Sequence, residues 1–531
     1  ELDLASPTSV QKIYYDRVDT ELDGNRIVKV IENWIQIGGT SYQQSTQYVY
    51  RKEDTVVTDP EANTTGQKIV NIIETYEGDF TTAGGAFLTQ VQKDYSIIDA
   101  DNKVVRVSSY YDPSLLTAPI SIQIKSRRYN SDANRLETVI DTYESGINTS
   151  TQIIWREITN DQNPRLITHI ENYELSILVS SQLIWKNKET VNGKETIVTY
   201  TESYAFGEES LKTVEKTYYV KDSVLGLVTF IETYEFGMDT PTSIRKIYYA
   251  RKEANELTAG EARVVKVIEI YEYNLKGAAS SSAAQTGTMS SRQYIYWDNR
   301  ATHDSSEKRL IKVIENFTDI EGALFRDNVQ YIYYKKEQVE GKERVIQVIE
   351  NHIYYTDTEE FLDGIQYIYK DAADSRIVTV VRNMQKVGTG VYVESIQHMY
   401  AKLEEYKDGS VTKKRVIQVT ETYFSTGTLT NVTRDSQKWT EGTTAIDSVQ
   451  YTYRALTSKT IDGVTKDVIV TVVRNFFKSG DTLYLESILN IYKFEVQTSL
   501  DAKGTKRFVT VIESRVVNGC DFWSGNTWTL N

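Results

Sequence analysis

Four histidines, His169, His303, His352 and His398, and one cysteine, Cys520, are the side chains best suited to proton transfer, nucleophilic attack or metal ligation. None stands in a constellation. His169, His352 and His398 fill slots of a repeated motif where other copies carry Val or Tyr, so filling the slot accounts for them. His303 lies in "ATHDSSEK" with no second ligand at metal spacing, and Cys520 has no nearby His to activate a thiolate. No phosphate-binding loop, dinucleotide fingerprint or nucleophile elbow occurs. Carboxylates are abundant, but 74 Asp and Glu residues bring many together without purpose. The expectation is a chain with no catalytic residue, no cofactor and no required metal. Asp/Asn-rich turns such as "DADN" at 99–102 offer oxygen ligands of the kind Ca²⁺ takes, although none fits the twelve-residue Ca²⁺ loop. Turn formation explains them as well.

Four Asn-x-Ser/Thr sequons, at Asn63, Asn148, Asn316 and Asn431, are candidate glycosylation acceptors. Exposed Tyr and Trp beside polar groups could contact a glycan. Yet the aromatics occupy motif positions, which favours cross-strand contact.

The elements behind these residues are repeats. One motif reads Ser-x-Gln-x-Ile-Tyr, as in "SVQKIYY" from Ser9, "STQYVYR" from Ser45 and "SVQYTYR" from Ser448. The other reads Val-x-Val-Ile-Glu-Asn/Thr-Tyr, with its Glu slot at Glu32, Glu74, Ser109, Asp141, Glu171, Glu202, Glu232, Glu269, Glu315, Glu350, Arg382, Glu421, Arg474 and Glu513. The two alternate through fourteen copies spaced 30 to 53 residues apart. Two strands joined by a variable loop tolerate such spacing. Between them lie turn formers such as "VNGK" at 191–194 and "VEGK" at 339–342, where Gly and Asn supply positive φ. With 38 Tyr and only 6 Pro, the composition suits pleated, half-buried strands.

The fold expected is all-β: about fourteen tandem β-hairpins forming a long antiparallel, coiled or tubular sheet, with a β-solenoid or stacked β-sandwiches as alternatives. Open sheets beyond about ten strands curl, split or close because twist accumulates. Alternation puts Val28, Val30, Glu32 and Trp34 on one face, and Lys29, Ile31 and Asn33 on the other. Neither face is purely apolar, which opposes a lipid-facing barrel. Cross-strand pairs of Glu with Lys or Arg are expected to fix register. Hairpin repeats are assigned to 1–275, 292–423 and 448–517. A polar loop is assigned to 276–291, an irregular insertion to 424–447, and a cap or joining segment to 518–531.

The segment "IYYDRVDTELDGNRIVKVIE", Ile13 to Glu32, resembles the Tyr-Asp repeats of bacterial toxin shells. That resemblance implies a long spiralling β-sheet and transfers no functional residue.

Net charge of −14 and pI near 5.1 argue against a nucleic-acid partner. The first residues hold no basic or long apolar run and no initiator Met, which favours a processed, exported chain. These features lead to a secreted, non-enzymatic structural protein that polymerises through edge or terminal strands into a filament, sheath or surface layer. An adhesin or carbohydrate-binding surface protein and a toxin-enclosing shell are the alternatives. Insertion into a membrane is not expected.

Overall fold

The computed structural model describes residues 9–19, 26–37, 40–78, 86–99, 102–116, 118–159, 164–174, 177–205, 211–235, 240–260, 262–273, 287–302, 305–339, 341–356, 359–373, 376–387, 390–408, 411–425, 428–430, 438–440, 444–461, 464–479, 482–497, 506–516, 522–524 and 527–529. The alternating β-branched and aromatic residues form strands throughout. Twenty-eight strands, from Ser9–Asp19 to Lys506–Val516, pair in chain order into one antiparallel sheet of fourteen hairpins. A parallel solenoid is ruled out, because each strand bonds antiparallel to its sequence neighbours. The sheet is also continuous, not split into sandwiches.

Turn chemistry closes the hairpins as the sequence dictates. Asn192 and Gly193 have φ of 51° and 74°, the pair of positive values that a tight two-residue hairpin turn requires. Of the segment assigned as a polar loop, residues 288–291 belong to the strand Thr288–Thr302, and 276–286 lie outside the described residues. Within 424–447, a small separate hairpin pairs Thr428–Thr430 with Lys438–Thr440. Near the C-terminus, Phe522–Ser524 pairs with Thr527–Thr529 and touches the sheet at Tyr484.

One face carries the core. It holds valines that precede most Glu slots and the tyrosines of the first motif, for example Val30, Tyr50, Val70, Val313, Tyr333, Val348 and Val419. They form two clusters, one spanning Val30 to Ile122 and the other Val228 to Tyr492.

A bulge recurs where one hairpin meets the next. The second strand of a hairpin pairs in register with the following strand up to its Asn/Thr slot, then shifts by one residue. The shift falls between Asn33 and Trp34, Thr75 and Tyr76, Asn172 and Tyr173, Asn383 and Met384, and Asn475 and Phe476, among others. The extra residue immediately precedes the Ser of the next motif. Its hydroxyl can serve the carbonyl opposite, as Thr89 does to Thr75 at 3.1 Å and Ser290 to Ile270 at 3.2 Å. Bulges bend a strand and add right-handed twist, so a bulge repeated at successive junctions makes the sheet coil.

The coil returns upon itself. The second strand, Arg26–Ile37, lies against the seventeenth, Thr288–Thr302. The fourth, Thr64–Gly78, meets the nineteenth, Ala323–Val339. The fifth, Ala86–Ile98, meets the twentieth, Lys342–Thr356, and the ninth, Ile147–Ile158, meets the twenty-third, Gly390–Asp408. On the less buried face, Arg454 of the strand Thr444–Ile461 bridges to Glu174 of the strand Leu166–Glu174 at 2.9 Å, across 280 residues of sequence.

Candidate assembly interface

Two rows of polar side chains run across the strands, one on each face. The first begins with the motif Tyr. Its register partner is the residue two before Glu, as Tyr50 opposite Ile72 shows, which sets the phenol diagonal to the carboxylate. Tyr50 donates to Glu74 at 2.6 Å, Tyr218 to Glu232 at 2.6 Å, Tyr248 to Glu269 at 2.9 Å, Tyr333 to Glu350 at 2.8 Å and Tyr400 to Glu421 at 2.7 Å. A second phenol arrives from the strand bearing the Glu, two residues on. Tyr234, Tyr271 and Tyr423 donate to the other oxygens of Glu232, Glu269 and Glu421 at 2.5, 2.9 and 2.8 Å.

The expected Glu–Lys/Arg pairing is therefore the lesser part. Arg292 does reach Glu269 and Arg326 reaches Glu315 at 3.2 Å, but phenols are the recurring partners. The physical reason is burial. A carboxylate removed from water must be hydrogen-bonded, and a phenol supplies that bond without a second charge to desolvate. Burial pushes Glu269 up, and Tyr271, Arg292 and Tyr248 outweigh it, so its carboxyl titrates below the ordinary value. The phenols move the opposite way: burial and the adjacent carboxylate push Tyr271 up to about 12.

Departures from Glu keep the geometry by other means. Tyr95, facing the Ser109 slot, donates to the Val57 carbonyl at 2.6 Å and lies 3.0 Å from the Ser109 hydroxyl. Arg474 places its guanidinium 4.9 Å from the Tyr453 ring, a cation–π contact.

The opposite face carries Gln, Asn and Ser. Gln11 donates to Asn33 at 3.0 Å, and Asn33 donates to Ser45 at 2.9 Å. Gln366, Asn383 and Ser395 repeat the chain at 3.1 and 2.9 Å, as do Gln450, Asn475 and Ser487 at 3.0 and 2.9 Å. Each chain spans three strands, so it ties a hairpin internally and then to its successor. Composition alone does not reveal this row, because its members come from different motifs. The 12-residue interval from Asn33 to Ser45, from Asn383 to Ser395 and from Asn475 to Ser487 was the available signal.

The histidines are distributed singly. His169 stacks on Trp155 at 4.7 Å and lies 3.0 Å from Glu157. His398 tilts against Tyr423 at 4.8 Å. His352 lies 2.8 Å from Glu360 and 3.5 Å from Glu350. His303 and Cys520 lie outside the described residues. Among the described residues, no three His, Cys, Asp or Glu side chains are placed to hold a metal ion. In the "DADN" turn, Asp99 accepts the Lys103 N–H at 2.8 Å, a local turn bond.

Of the sequon asparagines, Asn63 is exposed in a turn with φ of 51°. Asn148 is half-buried in a strand, its amide 3.5 Å from both Asp141 and Thr151. Asn316 belongs to the amide row, accepting from Gln293 at 2.8 Å and donating to Asn328 at 2.7 Å. Asn431 lies outside the described residues.

No protein-family profile and no curated protein matches the chain. Among solved structures it is similar to one titled "Crystal Structure of TcdB2-TccC3-Cdc42", at 8% identity, over 96% of this chain and 33% of that one, with a TM-score of 0.13. The chain spans about a third of that structure's length.

Proposed function

We propose that this chain is a non-enzymatic structural protein, exported from the cell, whose hairpin sheet assembles with further copies into a filament, sheath or surface layer. The observation that carries this reading is the destination of the repeated polar groups. Tyr, Glu, Gln, Asn and Ser of both motifs bond strand to strand on the two faces. Catalysis asks for polar groups held ready for a substrate; here the repeated ones are engaged with each other. The partner that such a repeat is built to recognise is another hairpin of its own kind.

Electron microscopy of the purified chain over a concentration series, with light scattering alongside, tests the reading. Ordered fibres, tubes or sheets are expected. Dispersed monomers at the highest concentration overturn it.

A further inference from the structure

Among the described residues the sheet has two different end strands. The strand Ser9–Asp19 pairs with Arg26–Ile37 alone among the described residues, and Lys506–Val516 pairs with Thr482–Gln497 alone. The first is the opening strand of a hairpin, and the last is a closing strand. Inside the chain, a closing strand meets an opening strand thirteen times, always in one register. Asn33 faces Ser45, Glu32 faces Thr46, Ile31 faces Gln47 and Lys29 faces Val49. Asn383 with Ser395 and Asn475 with Ser487 repeat it.

Both ends lack burial at the slots this junction covers. Ten tyrosines occupy the slot five residues after the motif Ser, from Tyr50 through Tyr492, and are only 3–8% exposed. Tyr14 occupies the same slot and is 39% exposed. At the other end, Val511 stands two before Glu513. Val30, Val267, Val313, Val348 and Val419 in that slot are wholly buried, whereas Val511 is half-buried. Apolar Ile13 and Ile512 are exposed as well, at 41% and 62%.

We infer that Lys506–Val516 of one copy receives Ser9–Asp19 of a second copy, continuing the sheet head to tail in the register of the internal junctions. Ser514 then faces Ser9, Glu513 faces Val10, Ile512 faces Gln11, Val511 faces Lys12 and Thr510 faces Ile13. Ile13 and Ile512 become diagonal neighbours on one face. Lys12 and Glu513 become diagonal neighbours on the other, with opposite charge. Unpaired strand edges template such addition. A head-to-tail contact between unlike surfaces grows an open helical assembly unless its rotation closes a ring. The inference rests on the assembly reading above and specifies its contact.

Disulfide trapping tests it in a Cys520→Ser background. Directly opposed Cα atoms lie about 4.5–5.5 Å apart, within the roughly 4.4–6.8 Å that a disulfide spans. Diagonal positions, at about 7–8 Å, are beyond it. Mixing a Gln11→Cys protein with an Ile512→Cys protein under mild oxidation is expected to give the mixed disulfide as the main covalent dimer. Replacing Ile512→Cys by Thr510→Cys is expected to cut that yield at least tenfold. Both sites are exposed, and circular dichroism confirms that the sheet is retained. Fibres by microscopy with no mixed disulfide overturn the junction and leave the assembly reading standing. Equal trapping at 510 and 512 overturns the register. Neither fibres nor disulfide overturns both.

Discussion

Tyr50 donates its phenolic hydrogen to Glu74 at 2.6 Å, and Tyr76, on Glu74's own strand, approaches the other carboxylate oxygen at 3.4 Å. The same clamp holds Glu232, Glu269 and Glu421. Phenols thus replace water around a row of carboxylates. The clamp also needs a fixed register, because a one-residue slip would turn every phenol to the other face. Recognition between strands and solvation of the charge are one interaction.

Alkaline pH should dismantle this clamp cooperatively. Burial, with the neighbouring carboxylates, raises Tyr204, Tyr218, Tyr234, Tyr248 and Tyr296, and sets Tyr271 and Tyr492 at about 12. A raised folded value means the unfolded chain ionises first. Stability is therefore full below about pH 10, the ordinary phenol value, and falls as pH climbs through the folded values. Each such Tyr contributes a slope of about 1.4 kcal/mol per pH unit in that window. Phenolate absorbance and far-ultraviolet circular dichroism, followed together, should change in one steep step above pH 10. Exposed tyrosines such as Tyr15, Tyr129, Tyr219 and Tyr249 stand outside the clamp; ionisation of the full complement of phenols by pH 10 with the sheet intact would contradict it.

Glu315 carries the heaviest version. Its side chain is fully buried and accepts from Tyr296, from the Thr258 backbone N–H and hydroxyl at 2.9 Å each, and pairs with Arg326 at 3.2 Å. Thr258 belongs to the turn between the strands Ser243–Lys252 and Arg263–Glu272, so the carboxylate ties that turn to the strand Ser305–Ile320. Glu315→Ala leaves the half-buried Arg326 with the Glu256 carbonyl but no carboxylate, and removes the acceptor of Tyr296 and of the Thr258 N–H, a loss of about 3 kcal/mol. Glu315→Gln, which retains an acceptor, should cost less. Hydrogen exchange localises the effect: amides around 254–260 and 311–317 should lose protection together in the Ala variant.

The order and number of strands were legible in the sequence because two motifs alternated fourteen times with turn residues between them. The partners of those motifs were not. Alternation tells which side chains share a face, but not which residue of the next strand lies opposite. That depends on the bulge. It is marked only by the residue ahead of the motif's Ser slot, polar at Gln44, Thr89 and Glu486 but apolar at Val179, so no pattern exposes it. Without the register, Glu looked like a partner for Lys, and the Asn–Ser bond between successive hairpins was invisible. The return of the coil upon itself was hidden for a similar reason, since nothing in the sequence distinguishes Glu174 and Arg454 from its other charged residues.

His352 gives the strand Lys342–Thr356 a pH response of its own. Burial lowers its proton affinity, but the carboxylates of Glu350 and Glu360 outweigh burial and raise it above the ordinary imidazole value. Burial likewise pushes Glu360 up, yet His352 and the phenols of Tyr331 and Tyr354 bring it to about 2. The signs give a window with two edges. The His352 contribution is complete below about pH 6.5 and is lost as pH rises through its raised folded value. The Glu360 contribution is present above about pH 4.3 and is lost as pH falls toward 2. His352→Phe keeps a ring in the Tyr slot; it should flatten the profile just above pH 6.5 and, because His352 helps hold Glu360 down, also move the acid edge up toward pH 4.3. The wild-type His352 imidazole resonance, identified by its loss in His352→Phe, would refute the assignment if it titrated below pH 6.5 by NMR.

The contact between turns of the coil should be weak, electrostatic and separable from strand pairing. Arg454 and Glu174 lie 2.9 Å apart, but each keeps roughly two-fifths of its side chain in water. Exposed pairs of this kind contribute about 0.2–1 kcal/mol, and salt screens them over a Debye length of about 8–10 Å. Arg454→Glu puts two carboxylates face to face, so the turns should separate without loss of strand content. Small-angle scattering should then report a larger radius of gyration at low salt that returns toward the wild-type value as salt rises. Adding Glu174→Arg restores the pair with its charges exchanged and should restore the radius at low salt. A radius unchanged in Arg454→Glu would mean that the turns are held by other contacts between the facing strands, such as those of Ile147–Ile158 with Gly390–Asp408.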